Sequence, residues 1–140
     1  MFVSVANKLL IAFTCSSVYG ALQAAAEFAK SFGDQEPASR YAQAAAEIKE
    51  AMSHHLWRPE LRRFARMIHV ARNGQIEVDK TVDASLWGLF AFSPYLATDP
   101  RIQKTMEAVY QELWCPTEVG GIARYPGDQY HRIFDQAINV

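Results

Sequence analysis

The sequence predicts a mainly α-helical domain that carries one β-hairpin. Three observations carry this reading. Apolar residues recur at helical spacing on both sides of Gly33. The pattern changes to β character between Leu56 and Lys80, around Asn73-Gly74. Helical spacing then returns and is closed by Cys115-Pro116. The period of the apolar pattern is the primary signal separating helix from strand.

Thr14, Ser16 and Ser17 offer N-caps before an alanine-rich stretch from Val18 to Phe32. Tyr19, Leu22, Ala26 and Ala29 share one face, and Gly33 stands where a helix-ending glycine belongs. Asp34-Gln35-Glu36-Pro37 opens a second helix that runs to about His55, with proline in its first turn. Two long helices joined by a few residues make an antiparallel pair. Trp57-Arg58-Pro59-Glu60 reads as a turn. Arg63–Val70 and Gln75–Val78 read as strands around Asn73-Gly74, a type I′ hairpin signal. Thr81 or Asp83 caps a short helix through about Phe92, which Ser93-Pro94 breaks. Thr98 or Asp99, before Pro100, starts a further helix to about Trp114.

The composition is globular: 140 residues, 50% hydrophobic and 21% charged. A net charge of -1 with no basic cluster excludes an electrostatic case for nucleic acid. Cys15 and Cys115 lie far apart without metal-ligand spacing, and His54-His55 point to different helix faces, so no metal site is expected. His54 and His55 instead suit the negative end of a helix. The apolar run Leu9–Phe13 faintly resembles a signal peptide but is too short to span a membrane. Residues 1–11 are therefore set apart as an atypical N-terminal segment and 12–140 as the domain. The expected location is cytoplasmic. A helical-repeat solenoid would need a second copy of the helix pair at fixed period, and the β-hairpin interrupts any such series.

The run Gly120-Gly-Ile-Ala-Arg124-Tyr-Pro-Gly-Asp128-Gln-Tyr130 is the most informative stretch. Gly-Gly and Pro-Gly mark a loop. An arginine and an aspartate held among rings can grip hydroxyls against a flat apolar wall, which suits a sugar. The alternative is that Arg124 and Asp128 pair with each other at the surface. Trp57, Trp87 and Trp114 sit in apolar patterns and are expected in the core.

This loop resembles the glycine-then-Arg-Tyr loop of glycoside hydrolase family 15, the glucoamylase and glucodextranase family. Two further stretches resemble the same family in the same order: Phe13-Thr-Cys-Ser-Ser-Val-Tyr19-Gly20-Ala-Leu22 and Thr81-Val-Asp83-Ala-Ser85-Leu-Trp87-Gly88-Leu. The resemblance runs from about Ala12 to about Asn139. It implies part of an (α/α)6 barrel, an incomplete toroid of inner and outer helices with the active site at one end. It also implies inverting hydrolysis of α-glucosidic bonds, with water as acceptor and no metal or organic cofactor. The implied partner is an α-linked glucose oligosaccharide, with no nucleic acid and no membrane.

By the same resemblance Arg124 hydrogen-bonds the sugar hydroxyls at the cleavage point, and Asp128 matches the acidic position four residues on. Gly127 stands where some members carry an acid. Inversion needs two carboxyls about 6.5–9.5 Å apart, one as acid and one as base. The family's acid precedes the Phe-Thr segment, where Val5-Ala6-Asn7-Lys8 stands here, and its base follows the loop by a long interval. No catalytic residue is therefore assigned within the chain. Glu27, Glu36, Glu47 and Glu50 read as solvated helix charges. The expectation is a hydrolase fragment that is inactive alone, self-associates through open apolar faces, and carries Arg124 in a sugar site and not in an ion pair. A non-catalytic helical-repeat protein-binding module is the alternative.

Overall fold

Leu9 to Ile11 run straight from a strand into a helix, and this junction sets the architecture. The structure, a computed structural model, describes residues 8–128. Strand β1 is Lys8–Ile11 and helix α1 is Ala12–Ser31. Ile11 is the N-cap, in extended conformation and without a side-chain cap bond. The Ala12 amide instead donates to the Arg66 carbonyl at 2.8 Å.

The helix thus begins six residues before the expected Val18. Thr14, Ser16 and Ser17 lie inside it, where Ser16 Oγ donates to the Ala12 carbonyl and Ser17 Oγ to that of Thr14. Such back-bonding is the helix-interior alternative to capping. The end of α1 meets expectation. Gly33 has φ +81°, its amide donates to Lys30 and the Asp34 amide to Ala29, a Schellman closure.

Helix α2, Gln35–His55, follows at once. So short a link makes α1 and α2 antiparallel neighbours. Ala26, Ala38 and Ala45 are buried, and side chains this small let helix axes approach. The other side of α1 is open. Val18, Ala21, Phe28 and Phe32 recur at three- to seven-residue intervals along it and are exposed, the two phenylalanines at 68%. Their rings pack against each other at a tilt, 4.8 Å between centroids.

Two small sheets follow. β2 (Trp57–Arg58) pairs with β3 (Arg63–Phe64), so the turn falls at 59–62, two residues later than expected. Arg62 takes a left-handed φ of 52° there, and its amide donates to Pro59. β4 (Met67–Val70) is the centre of an antiparallel sheet in the order β1-β4-β5, with β5 at Ile76–Asp79. Leu9 faces His69, and His69 faces Glu77. β1 was not expected: its unbroken apolar run has no alternation.

The hairpin does turn at Asn73-Gly74, but not as type I′. Only Gly74 is left-handed, at φ +83°. The Gly74 amide donates to Ala71, and Ala71 donates to Gln75. This is a three-residue loop with a type I turn and a glycine bulge.

Asp83 caps a 3-10 turn, Ala84–Trp87, accepting from the Ser85 amide at 2.8 Å. The four-residue helix α3, Gly88–Ala91, continues it. Asp99 caps α4, Pro100–Leu113, accepting from the Arg101 amide. The core lies where these elements meet and includes Met52, Leu56, Phe64, Ile68, Leu86, Leu89, Ile102 and Leu113. Phe64 is fully buried, with ring contacts to Trp57 and Tyr95 at 5.3 and 5.0 Å. Phe64→Ala should cost about 3–5 kcal/mol, read as a lower urea midpoint at unchanged slope. A loss under about 1 kcal/mol would show that this centre collapses around the cavity.

Candidate functional site

The three motif stretches come together at one corner. Phe13, at the start of α1, packs edge-on against Trp87 and Phe92, at 6.0 and 5.4 Å between centroids. Gly88 makes room for this: a Cβ there would sit 2.9 Å from the Phe13 ring. The arginine loop folds back along the end of α4. Cys115 donates to Gly121, Ala123 donates to Leu113, and Trp114 bridges Ile122. The next residue reaches the 3-10 turn, where the Ala84 amide donates to the Arg124 carbonyl at 2.7 Å. Gln129 and Tyr130, which complete the loop run, and the remaining residues to Asn139 lie outside the described residues.

A charged and aromatic cluster fills the corner. Arg66 Nε donates to Asp79 Oδ2 at 2.8 Å and Nη1 donates to Asp83 Oδ2 at 2.9 Å. The Arg66 guanidinium lies 6.0 Å from the Tyr125 ring centroid, and that of Arg124 lies 5.4 Å from it. Burial pushes the Asp83 carboxyl up, but bonds from Ser85 and then Arg66 hold it below the ordinary carboxylate value. Burial acts likewise on Asp79, and Thr81 and Arg66 outweigh it. Burial lowers Arg66, and its two carboxylate partners raise it overall.

Arg124 and Asp128 are paired. Nε and Nη2 donate to Oδ2 and Oδ1, both at 2.6 Å. The expectation that Arg124 stands outside an ion pair is therefore overturned. A spacing of four residues across the Pro126-Gly127 turn brings the fork onto both oxygens, a geometry that guanidinium and carboxylate share. The pair is unevenly exposed, Arg124 at 54% and Asp128 at 17%.

The tryptophans also depart from expectation. Trp57 packs on the core, but Trp87 and Trp114 stay 45% and 40% exposed. Trp87 follows the core residue Leu86 on a tight turn, so its ring lies at the rim over Phe13 and Phe92. Trp114 is the C-cap of α4 and lies against Tyr110. Sequence reading missed Arg66 and Asp79 in the cluster. Arg66 stands in a stretch read for its strand pattern and Asp79 just past another, and no spacing marks either.

Among the described residues, no group of three or more His, Cys, Asp or Glu side chains could hold a metal ion. No described helix is long and apolar enough to cross a membrane. A cavity of about 330 Å³ lies elsewhere, lined by Lys49, Tyr95, Thr98, Asp99 and Arg101 among others, and none of the three motif stretches contributes to it.

Residues 9–127 match the model of the mannosylglycerate hydrolase MGH1-like glycoside hydrolase domain. The chain belongs to that family. The match starts within the segment set apart as 1–11, at the second residue of β1. An uncharacterized glycosyl hydrolase of Methanocaldococcus jannaschii is 28% identical over 122 residues, which are 86% of this chain and 18% of that protein. A bacterial glucoamylase solved in complex with acarbose superposes with a TM-score of 0.69 at 23% identity, covering 86% of this chain and 20% of the other. The chain thus spans about a fifth of the length of these relatives. Its fold is that of part of a glucoamylase (α/α)6 barrel. The family shown is thus the MGH1-like glycoside hydrolase domain, and the likeness to glucoamylase is one of fold.

Asp79 and Asp83 stabilise the corner with a definite pH dependence. Their folded values are depressed. Their contribution is complete above the ordinary carboxylate value of about 4. It is lost as pH falls through the lower folded values. Thermal unfolding curves of the parent and Arg66→Gln should therefore separate at neutral pH and converge in acid. A difference in Tm that stays constant with pH would contradict this coupling.

Proposed function

We propose that this chain forms the sugar-gripping segment of an inverting α-glucan hydrolase, with Arg124 as the residue that meets hydroxyls. The observation that carries the reading is the convergence of the three motif stretches at one corner. There the Arg124 carbonyl is bonded to the turn of the second motif, whose Trp87 packs edge-on against Phe13 of the first. Asp128 holds the guanidinium by two oxygens, which fixes the plane in which its fork is presented. Half-exposed Trp87 offers a flat apolar face of the kind sugars stack on. Among the described residues, the corner holds three carboxylates, Asp79, Asp83 and Asp128, against the guanidiniums of Arg66 and Arg124. That balance favours a neutral sugar over an anionic one. With Cys15 and Cys115 both unpaired, a reducing compartment such as the cytoplasm is the proposed setting.

In this reading the described residues hold no acid and base couple. A general acid needs a raised carboxyl. Among the described residues, the carboxyls of Asp79, Asp83, Asp99 and Glu107 are all held below their ordinary values. Each missing proton-transfer role is worth about 10²–10⁴-fold in rate. The 140 residues should release no glucose from maltose or soluble starch above a buffer blank, and release retained through purification would refute this. In a full-length hydrolase carrying this segment, Arg124→Ala should lose about 2–5 kcal/mol of transition-state stabilisation, because the sugar hydroxyls lose a charged partner. Arg124→Lys should recover little, since an ammonium lacks the fork. Steady-state kinetics decides it: kcat/KM within about twofold of the parent would remove Arg124 from the sugar site.

The open side of α1 suggests self-association of the isolated chain. Phe28 and Phe32 continue an exposed apolar line through Ala21 to Val18, and such surfaces drive association. Light scattering should give a mass that rises with concentration, and Phe28→Ser with Phe32→Ser should suppress the rise. A clean monomer at every concentration would count against it.

A further inference from the structure

Arg66 contacts four segments of the chain. Its carbonyl accepts from the Ala12 amide at the head of α1. Its guanidinium donates to Asp79 at the end of β5 and to Asp83 at the cap of the 3-10 turn. The same group lies against the Tyr125 ring in the arginine loop.

We propose that Arg66 is a positioning residue for the sugar site, holding Arg124 in place without touching the sugar. The proposal rests on the reading of Arg124 as the sugar-gripping residue.

Arg66 reaches Arg124 by two routes. Along the backbone, one Asp83 oxygen takes Arg66 and the other takes the Ser85 amide. Asp83 therefore links the guanidinium to the turn whose Ala84 amide holds the Arg124 carbonyl. Through the ring, Tyr125 lies within reach of both guanidiniums. A guanidinium can satisfy two carboxylates in its plane while its face meets an aromatic ring, and an ammonium on a flexible stem cannot do both. The Arg66 and both aspartate side chains are partly buried, which strengthens their bonds relative to a surface pair. Removing Arg66 leaves the bonds of Asp83 to the turn in place but frees the turn and Tyr125 from the sheet. The expected result is a loop that undocks while the helix hairpin stays folded.

Residue-resolved hydrogen exchange on the 140-residue chain tests this, together with titration by maltotriose. In Arg66→Gln, the Ala84 amide should exchange at least about ten-fold faster, as local opening does, while α2 amides keep their protection. Arg66→Lys should behave like Arg66→Gln. Val109→Ala in α4 is the control, since general destabilisation should speed the Ala84 and α2 amides together. Maltotriose affinity should fall about ten-fold in Arg66→Gln, and in Val109→Ala it should stay within about twofold. Unchanged Ala84 exchange in Arg66→Gln, or acceleration only in step with α2, would overturn the proposal. Should Arg66→Gln fail to fold, Tyr125→Leu decides the ring route: the Ala84 amide, which holds the Arg124 carbonyl, should exchange faster there, and no change overturns that route. A parent chain that binds no maltotriose would refute the sugar reading alone, because the exchange data still decide what Arg66 holds.

Discussion

The bond from the Ala12 amide to the Arg66 carbonyl ties the helical half of this protein to its sheet half. The first amides of any helix have no partner within it. Here the sheet supplies one, because β1 and α1 are a single run of chain with no loop between them. That continuity fixes where Phe13 points. It also brings the start of α1 beside β4, at the residue whose side chain reaches the opposite way, toward the aspartates and the arginine loop. The site corner is therefore assembled from the sheet outward, and the long helices act as its frame.

The electrostatics of that corner follow from partial burial. Isolated surface ion pairs contribute little. Arg66, Asp79 and Asp83 differ from that case because each carboxylate also accepts from a backbone amide, at Thr81 and Ser85. The charges are set into turns, so holding them in geometry requires less further ordering. Arg124 and Asp128 are set differently, with the carboxylate covered and the guanidinium half in solvent. A residue that must meet a polar ligand needs such access, and a partner that only orients it does not.

Much of this was legible in the residues. Gly33, Asp99-Pro100, Ser93-Pro94 and Cys115-Pro116 are local punctuation, and the helix limits fall at or beside them. Arg124 and Asp128 stand out as candidates because a loop too irregular for helix or strand concentrates them. What could not be read depended on distant partners. β1 looks like a strand only beside β4, since Leu9 gains its partner from His69. The start of α1 was misplaced because its cap is a sheet carbonyl and not one of the nearby hydroxyls. The hairpin at Asn73-Gly74 was located correctly but given the wrong turn, because the dipeptide marks the bend while the number of loop residues selects its type. The pairing of Arg124 with Asp128 could be written from sequence as an alternative, and only the backbone path through Gly127 decided it.

The tight link between α1 and α2 bears on the order in which the chain acquires structure. Only three residues, 32–34, separate the two helices, so closing their connection costs little chain entropy and their contacts can zip outward from that link. β1 faces a different problem, since it must find β4 with the whole helix pair intervening. Contacts between neighbours in sequence form in microseconds to milliseconds, whereas distant strand pairings are slower. The helix pair should nucleate first and deliver β1 to β4, so the antiparallel return of α2 serves to shorten the effective loop between the strands. The candidate site corner, which hangs on that strand junction, is then the last part of the molecule to take shape.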